Sequence, residues 1–302
     1  MQSVLAVSLS PTFQKVMIFG SFHEDEVNRS SRYFEAASGK GINVSRVLGN
    51  LGRPAVNLMQ LGGPRLDEFR ALLENEGLMY RYAEVDAGIR SCLTIINEER
   101  HTSTELVEEA QEVGPDASER IFSLFMEELP AHAAVVISGT KAKGFSAALL
   151  PSMVKEARMQ DKLVVLDIKG DDLMSSLQYS PSVIKPNLSE FCSTFSISDS
   201  VMENEENEQL RKAVSDAMKS IYDGYGISTV ITRGKYDTWI YGSDGFDTVE
   251  NQNVPVINTI GCGDTLTAAM THSLLLGKSL KDSVAFGMAA ALRKAQHLEQ
   301  GI

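Results

Sequence analysis

The feature that most limits the folds open to this chain is a rhythm of short apolar runs set among longer stretches with apolar residues at every third or fourth position. Val4–Val7, Ala134–Ile137, Leu163–Leu166, Val183–Ile184 and Thr229–Thr232 are continuous rather than alternating, which is the pattern of strands buried on both faces of a parallel sheet. Ser146–Gln160, Asn207–Tyr222 and Thr265–Leu276 show helical spacing. Strand, helix, strand repeated in this way predicts a doubly wound, mostly parallel α/β sheet with helices on both faces. Its ligand crevice lies at the carboxyl ends of the strands. A chain of 302 residues at 43% hydrophobic content can bury one large core, and the expectation is a single α/β unit over residues 1–302.

Two stretches break the rhythm. Phe13–Phe22 with Glu26–Phe34, and Arg90–Asn97 with Thr102–Val107, are β-rich and interrupted by polar turns. By themselves they read as a surface meander or as a cover for an apolar edge.

Two glycine-rich segments carry the chemistry. In Asn258–Thr265, Gly261 and Gly263 bracket Cys262, and Asp264 follows at the start of an apolar helix. The glycines let the backbone turn tightly and approach a ligand, and the N–H groups of a helix N-terminus attract an anion. Asp264 would then stand beside a bound phosphate, placed to take a proton from an attacking hydroxyl; the plainer alternative is a turn whose Asp caps the helix. Cys262 at a helix N-terminus either has a lowered thiol pKa or simply fills the place of a small residue. Ser38–Ser45 likewise ends an extended stretch and opens a helix, with a stop at Gly52. It is no P-loop, because Gly41 follows Lys40 where a Ser or Thr would be needed for Mg²⁺.

A formal net charge of −12 disfavours nucleic acid or an anionic membrane as partner, so an anionic substrate has to be met by a local basic cluster. Cys92, Cys192 and Cys262 cannot form a complete disulfide set, and neither they nor the five histidines show metal-type spacing, which predicts reduced thiols in a cytoplasm. The N-terminus reads as a buried first strand rather than a signal sequence, and no apolar run approaches a membrane span. The acidic run Glu203–Glu208 reads as a solvated loop leading into a helix, with no function assigned.

Four motifs in order resemble the ribokinase-like sugar kinases of the phosphofructokinase B group, closest to the 1-phosphofructokinase and tagatose-6-phosphate kinase branch. Ser38–Ser45 is similar to the group's Gly-Gly-Lys-Gly-Ile-Asn-Val-Ala, and Val136-Ile137-Ser138-Gly139-Thr140 to its Ser-Gly-Ser turn. Lys185-Pro186-Asn187-Leu188-Ser189-Glu190 matches Lys-Pro-Asn-x-x-Glu, and Gly261-Cys262-Gly263-Asp264 matches Gly-Ala-Gly-Asp. The resemblance runs from about Val4 to about Ala291.

The resemblance implies ATP and Mg²⁺ as cofactors and direct in-line transfer to a hydroxyl of a sugar phosphate, with Asp264 as base and Gly261, Cys262 and Gly263 as the anion cradle. It implies that Asn187 and Glu190 organise Mg²⁺ and the nucleotide phosphates through water, although their spacing also suits a helix capping box. Lys185, Thr232 and Gly234 would face the nucleotide; Arg233 is unusual beside them and reads as a solvated charge. Gln14, Arg29, Gly39, Lys40, Asn43, Arg90 and Ser138 would hold the acceptor, with Arg29, Lys40 and Arg90 on its existing phosphate. The two β-rich stretches, at about 11–35 and 89–107, would form a lid over the sugar that pairs with its counterpart in a homodimer.

Two departures qualify this. Ser10-Pro11-Thr12-Phe13-Gln14 stands where the group has Asn-Pro-Ala-Leu-Asp, so Gln14 replaces a carboxylate that accepts hydrogen bonds from sugar hydroxyls. The chain also stops soon after Ala291, so a final helix beside the adenine pocket is expected to be missing or short. A kinase for an unphosphorylated sugar or nucleoside, and a nucleotide-binding homologue with weak or lost turnover, are the alternatives.

Overall fold

A computed structural model of the protein describes residues 2–198, 201–202, 207–252 and 258–296. Of the acidic run, Glu203–Glu206 lies outside the described residues; Asn207 caps the helix Glu208–Tyr225 through its side chain.

The described strands are β1 (Val4–Ser8), β2 (Thr12–Phe19), β3 (Arg32–Ser38), β4 (Ala55–Gly62), β5 (Met79–Val85), β6 (Arg90–Asn97), β7 (Thr102–Val107), β8 (Ala134–Ser138), β9 (Leu163–Asp167), β10 (Val183–Ile184), β11 (Ser228–Arg233), β12 (Tyr236–Gly242) and β13 (Gly245–Val249). Nine of them form one sheet in the order β13, β12, β11, β10, β9, β8, β1, β4, β5. Every neighbouring pair from β11 to β5 is parallel, and β12 and β13 complete one edge antiparallel. The continuous apolar runs explain this: Leu5, Val7, Val135, Ile137, Val164 and Leu166 feed one core, while Val4, Ala6, Ala134, Val136 and Val165 feed the other. Adjacent residues of one strand thus bury against helices on opposite faces.

Chain order reverses at β1, which lies between β4 and β8. A crevice is expected there, at the carboxyl ends of the strands. Ser8, Ser138, Asp167 and Arg233 end four of these strands, and Lys185 directly follows a fifth.

A second sheet of order β3, β2, β6, β7 stands apart from the first. β2 and β6 are parallel, with Gln14 opposite Cys92, and antiparallel β3 and β7 flank them. The expected strand over Glu26–Phe34 is shifted: β3 begins at Arg32. Asn28 folds the preceding loop on itself, its side chain donating to the carbonyls of His23 and Glu26 and accepting from the His23 N–H. The expected helices keep their places with moved ends, as Leu149–Met159, Glu208–Tyr225 and Cys262–Leu275.

The final helix is not missing or short. Leu280–Ala295 has 16 residues and packs on Cys262–Leu275. Gly287 permits the close approach, because a Cβ there would lie 2.8 Å from the Leu266 carbonyl oxygen.

The helix Lys40–Asn50 is laid on β1 in the same way, through Gly41, whose added Cβ would sit 2.8 Å from the Val7 carbonyl oxygen and 2.9 Å from Ser8 Cβ. Gly41→Ala must push the helix off the strand. We expect a loss of roughly 1–3 kcal/mol, the usual cost of overpacking, seen as a lowered Tm in thermal denaturation. An unchanged Tm would show that the contact is not as tight as described.

Candidate active site

Three cavities join at the carboxyl edge of the large sheet. The middle one, of about 370 Å³, has the small sheet as one wall, with Gln14, Arg90 and Glu105, and the large sheet as the other, with Asp167, Lys185 and Asp264. It shares Lys40, Arg90 and Asp167 with a second cavity beside Ser138 and Gly139. Through Thr232 and Gly263 it continues into a third, more apolar one beside Leu266, Met288 and Leu292.

Two glycines shape the middle cavity. Gly261 has φ 77°, a left-handed conformation that an L side chain resists, and it turns the chain into Cys262–Leu275. Gly39, with φ 131°, precedes Lys40–Asn50, and a Cβ there would meet Ser8 Oγ at 3.0 Å. The two helix starts thereby face each other across the cavity, and the contact between them is direct: Asn43 Nδ2 donates to Asp264 Oδ2 at 2.8 Å, across 221 residues of sequence.

The Asn43 amide is itself fixed. Its Oδ1 accepts from Arg46 Nη1 at 2.7 Å and from Ser38 Oγ at 3.2 Å, so its NH₂ must point at Asp264. Arg46, almost fully buried, also donates to the Ala37 carbonyl and to Glu76. Arg46 and Glu76 were not singled out in the sequence. The usable signal was the three-residue spacing of Asn43 and Arg46 on one helix face.

Asp264 is 6% exposed. Burial raises its carboxyl pKa to about 6; Lys40, the Asn43 hydrogen bond and Lys185 pull it down, and the like charge of Asp167 pushes it up. Asp167, a residue the motif reading missed, has the opposite fate. Burial would raise it, but Lys185 at 3.3 Å, Lys40 at 3.9 Å and a hydrogen bond from Ser138 at 3.0 Å hold it below the ordinary carboxylate range. No local motif marks Asp167; its signal was its place as the first polar residue after the apolar run Leu163–Leu166.

The cradle can be read bond by bond. Cys262 N–H donates to the Thr259 carbonyl at 3.2 Å. The Cys262 thiol turns toward the carbonyls of Asn258 and Ala291, and burial pushes its pKa up to about 11. Cys262 therefore faces the third cavity as an inert small residue, and a lowered thiol pKa does not occur. Gly261, Gly263 and Asp264 line the middle cavity instead.

The remaining expected residues fall as follows. Lys185, Asn187, Glu190 and Thr232 line the middle cavity, Gly234 the third, and Ser138 the second. Asn187 and Glu190 form a reciprocal capping box on the helix Leu188–Thr194, while Glu190 also meets Lys169 at 3.6 Å. Gln14 lines the middle cavity with its NH₂ held by Thr94 Oγ1 at 2.8 Å. Arg29 is not brought in: it lies exposed in the loop between β2 and β3 and lines none of the three cavities. Arg233 is not a solvated charge. It is 2% exposed, with its guanidinium 4.0 Å from the centre of the Trp239 ring.

The Asn43 contact gives a signed expectation. Asn43→Ala removes a donor that favours the charged carboxylate, so the Asp264 pKa should rise above its value of about 6. Carboxyl-carbon NMR titration of the ligand-free protein reads this directly, and an unmoved midpoint would contradict the contact.

The sequence model of the pfkB family carbohydrate kinases matches residues 10–300. Among solved structures, phosphofructokinase-2 from Escherichia coli in complex with fructose-6-phosphate has a TM-score of 0.84 at 22% identity, covering 98% of this chain and 94% of that one. A protein from Thermotoga maritima described as a possible 1-phosphofructokinase has a TM-score of 0.86 at 20% identity, covering 99% and 93%. At these identities the structural likeness speaks for the ribokinase-like fold, while the family match spans nearly the whole sequence. The chain belongs to the pfkB family of carbohydrate kinases, phosphotransferases that act on a sugar hydroxyl.

Proposed function

We propose that the protein moves the γ-phosphoryl group of ATP onto a hydroxyl of a sugar phosphate, in the manner of a 1-phosphofructokinase or a tagatose-6-phosphate kinase, with Asp264 as general base. One observation carries this reading: two buried carboxylates share a crevice, and their surroundings push their pKa values apart. Such a split assigns roles. Asp264, at about 6, is a base poised close to neutrality. Asp167 stays ionised and keeps Lys40 and Lys185 aimed at the cavity.

In the proposed step the acceptor hydroxyl stands between Asp264 and the γ-phosphorus, in line with the leaving oxygen. Its oxygen bonds to phosphorus as the bond to ADP breaks, and its proton passes to Asp264. The N–H groups of Gly261 and Gly263 and the ammonium of Lys185 meet the charge on the transferring group. Thr232, Gly234 and the apolar wall of the third cavity take the rest of the nucleotide.

Magnesium supplies charge neutralisation on the phosphates when bound. It usually keeps several waters and needs only one or two protein carboxylates. Glu190 on the cavity wall fits that demand, with Asn187 beside it, and no cluster of three ligating side chains occurs among the described residues. Both residues would hold the ion through water.

The acceptor's own phosphate would lie toward Ser138 and Gly39, where Lys40 and Arg90 converge. Arg90 donates from Nη1 to the Glu108 carbonyl, while its Nε is buried without a partner among the described residues. Gln14 and Asn43 would meet the sugar hydroxyls. A homodimer would form through the small sheet, whose face opposite Gln14 leaves Tyr33 and Leu106 more than half exposed. Arg29, outside the cavities, favours a second reading: a kinase for an unphosphorylated sugar or nucleoside.

An ADP-release screen over sugar phosphates, free sugars and nucleosides separates the readings. Turnover is expected with a ketose phosphate and should fall as pH drops through about 6, where Asp264 takes up its proton and can no longer act as base. Asp264→Asn should keep ATP binding and lose about 10²–10⁴ in kcat. Near-full activity of that variant contradicts the base assignment. Preference for free sugars or nucleosides selects the second reading, and no ADP release with any acceptor points to lost turnover.

A further inference from the structure

Lys294 lines none of the three cavities, yet its helix end is tied to the turn that opens Cys262–Leu275. It lies in the last turn of the helix Leu280–Ala295, is 1% exposed, and its Nζ has no hydrogen-bond partner among the described residues. Long side chains on a helix lean toward its N-terminus, so the Lys294 stem runs back over the turn that holds Ala291. The carbonyl of Ala291 is 3.5 Å from Cys262 Sγ, and Lys294 and Cys262 are electrostatically coupled.

Cys262 opens the 14-residue helix Cys262–Leu275, whose start carries the Gly261 and Gly263 N–H groups. The Asn258 N–H donates to the Ala295 carbonyl at 3.1 Å, so the turn that forms the cradle is tied to the same helix end. Lys294 itself lines neither the middle nor the third cavity. Its amine is therefore buried outside these cavities, close enough to Cys262 for the two groups to act on each other electrostatically.

A buried amine without a partner is unfavourable as a cation, and burial lowers the Lys294 pKa. The compensating anion is supplied when a phosphate lies on the other side of the turn. A helix N-terminus carries only about half a positive charge, so a full charge on the Cys262 side of it would add the larger attraction.

We propose that Lys294 is a built-in cation behind the phosphate cradle, a positioning residue that strengthens binding of the nucleotide's phosphates without touching them. This rests on the reading that the cradle takes those phosphates.

The test measures ATP affinity by isothermal titration in the presence of Mg²⁺, together with Tm. Lys294→Met keeps the shape and removes the charge; ATP should bind at least about tenfold more weakly, with Tm unchanged or raised. Lys294→Arg should retain most of the affinity, and ethylammonium should restore affinity to Lys294→Ala. Unchanged ATP affinity in Lys294→Met overturns the proposal. So does an equal loss in Lys294→Met and Lys294→Arg, or a loss in Lys294→Ala that ethylammonium does not restore, since either marks packing rather than charge. If the wild-type protein binds no ATP, the reading of the cradle fails first and takes this proposal with it; if it binds ATP and Lys294→Met binds it equally well, only this proposal fails.

Discussion

Two carboxylates, Asp167 and Asp264, are buried in one crevice, and the site depends on how their charges are compensated. Neither is tolerated there as a free anion, since removal from water disfavours the charged form of both, and the charge of Asp167 further raises the Asp264 pKa. The solution is unequal. Asp167 takes Lys185, Lys40 and the Ser138 hydroxyl, while Asp264 accepts a fixed hydrogen bond from Asn43. Lys40 and Lys185 also pull the Asp264 pKa down, but they do not offset its burial. The uneven sharing leaves one anchored anion and one group able to exchange a proton near neutral pH.

That inequality is built by backbone geometry. Strand β9 ends on Asp167 and β10 is followed at once by Lys185, so parallel pairing of the two strands sets the ion pair. The second lysine comes from the helix Lys40–Asn50, which can reach the strand ends because Gly39 and Gly41 let it lie against β1. The same helix carries Asn43 and Arg46. Arg46 fixes which way the Asn43 amide faces, and that in turn fixes the donor on Asp264. The carboxylate that we assign as base is thus oriented by a chain of contacts ending at the buried guanidinium of Arg46.

The sequence made much of this readable. Continuous apolar runs marked the parallel strands because both faces of those strands are buried, and the glycine segments marked the two helix starts because few other residues allow such turns. Other features depend on contacts between distant residues and leave no local pattern. Asp167 is a lone carboxylate at a strand end. Arg233 looked like a surface charge because the Trp239 ring beneath it comes from the neighbouring strand β12. The start of β3 was misplaced because the Asn28 side chain organises a loop over residues that have strand-like composition. Arg29 matched a position by order along the chain, but its loop carries it away from the cavities.

In the proposed transfer Asp264, not Asp167, receives the acceptor's proton. A crystal structure with ADP, Mg²⁺, aluminium fluoride and the sugar phosphate that the enzyme turns over would show which carboxylate does so. The acceptor oxygen is expected within about 2.6–3.2 Å of an Asp264 oxygen, with the fluoride group against Gly261 and Gly263 and Asp167 still paired with Lys185. An acceptor oxygen held by Asp167, with Asp264 making no contact to it, would rule out Asp264 as the base.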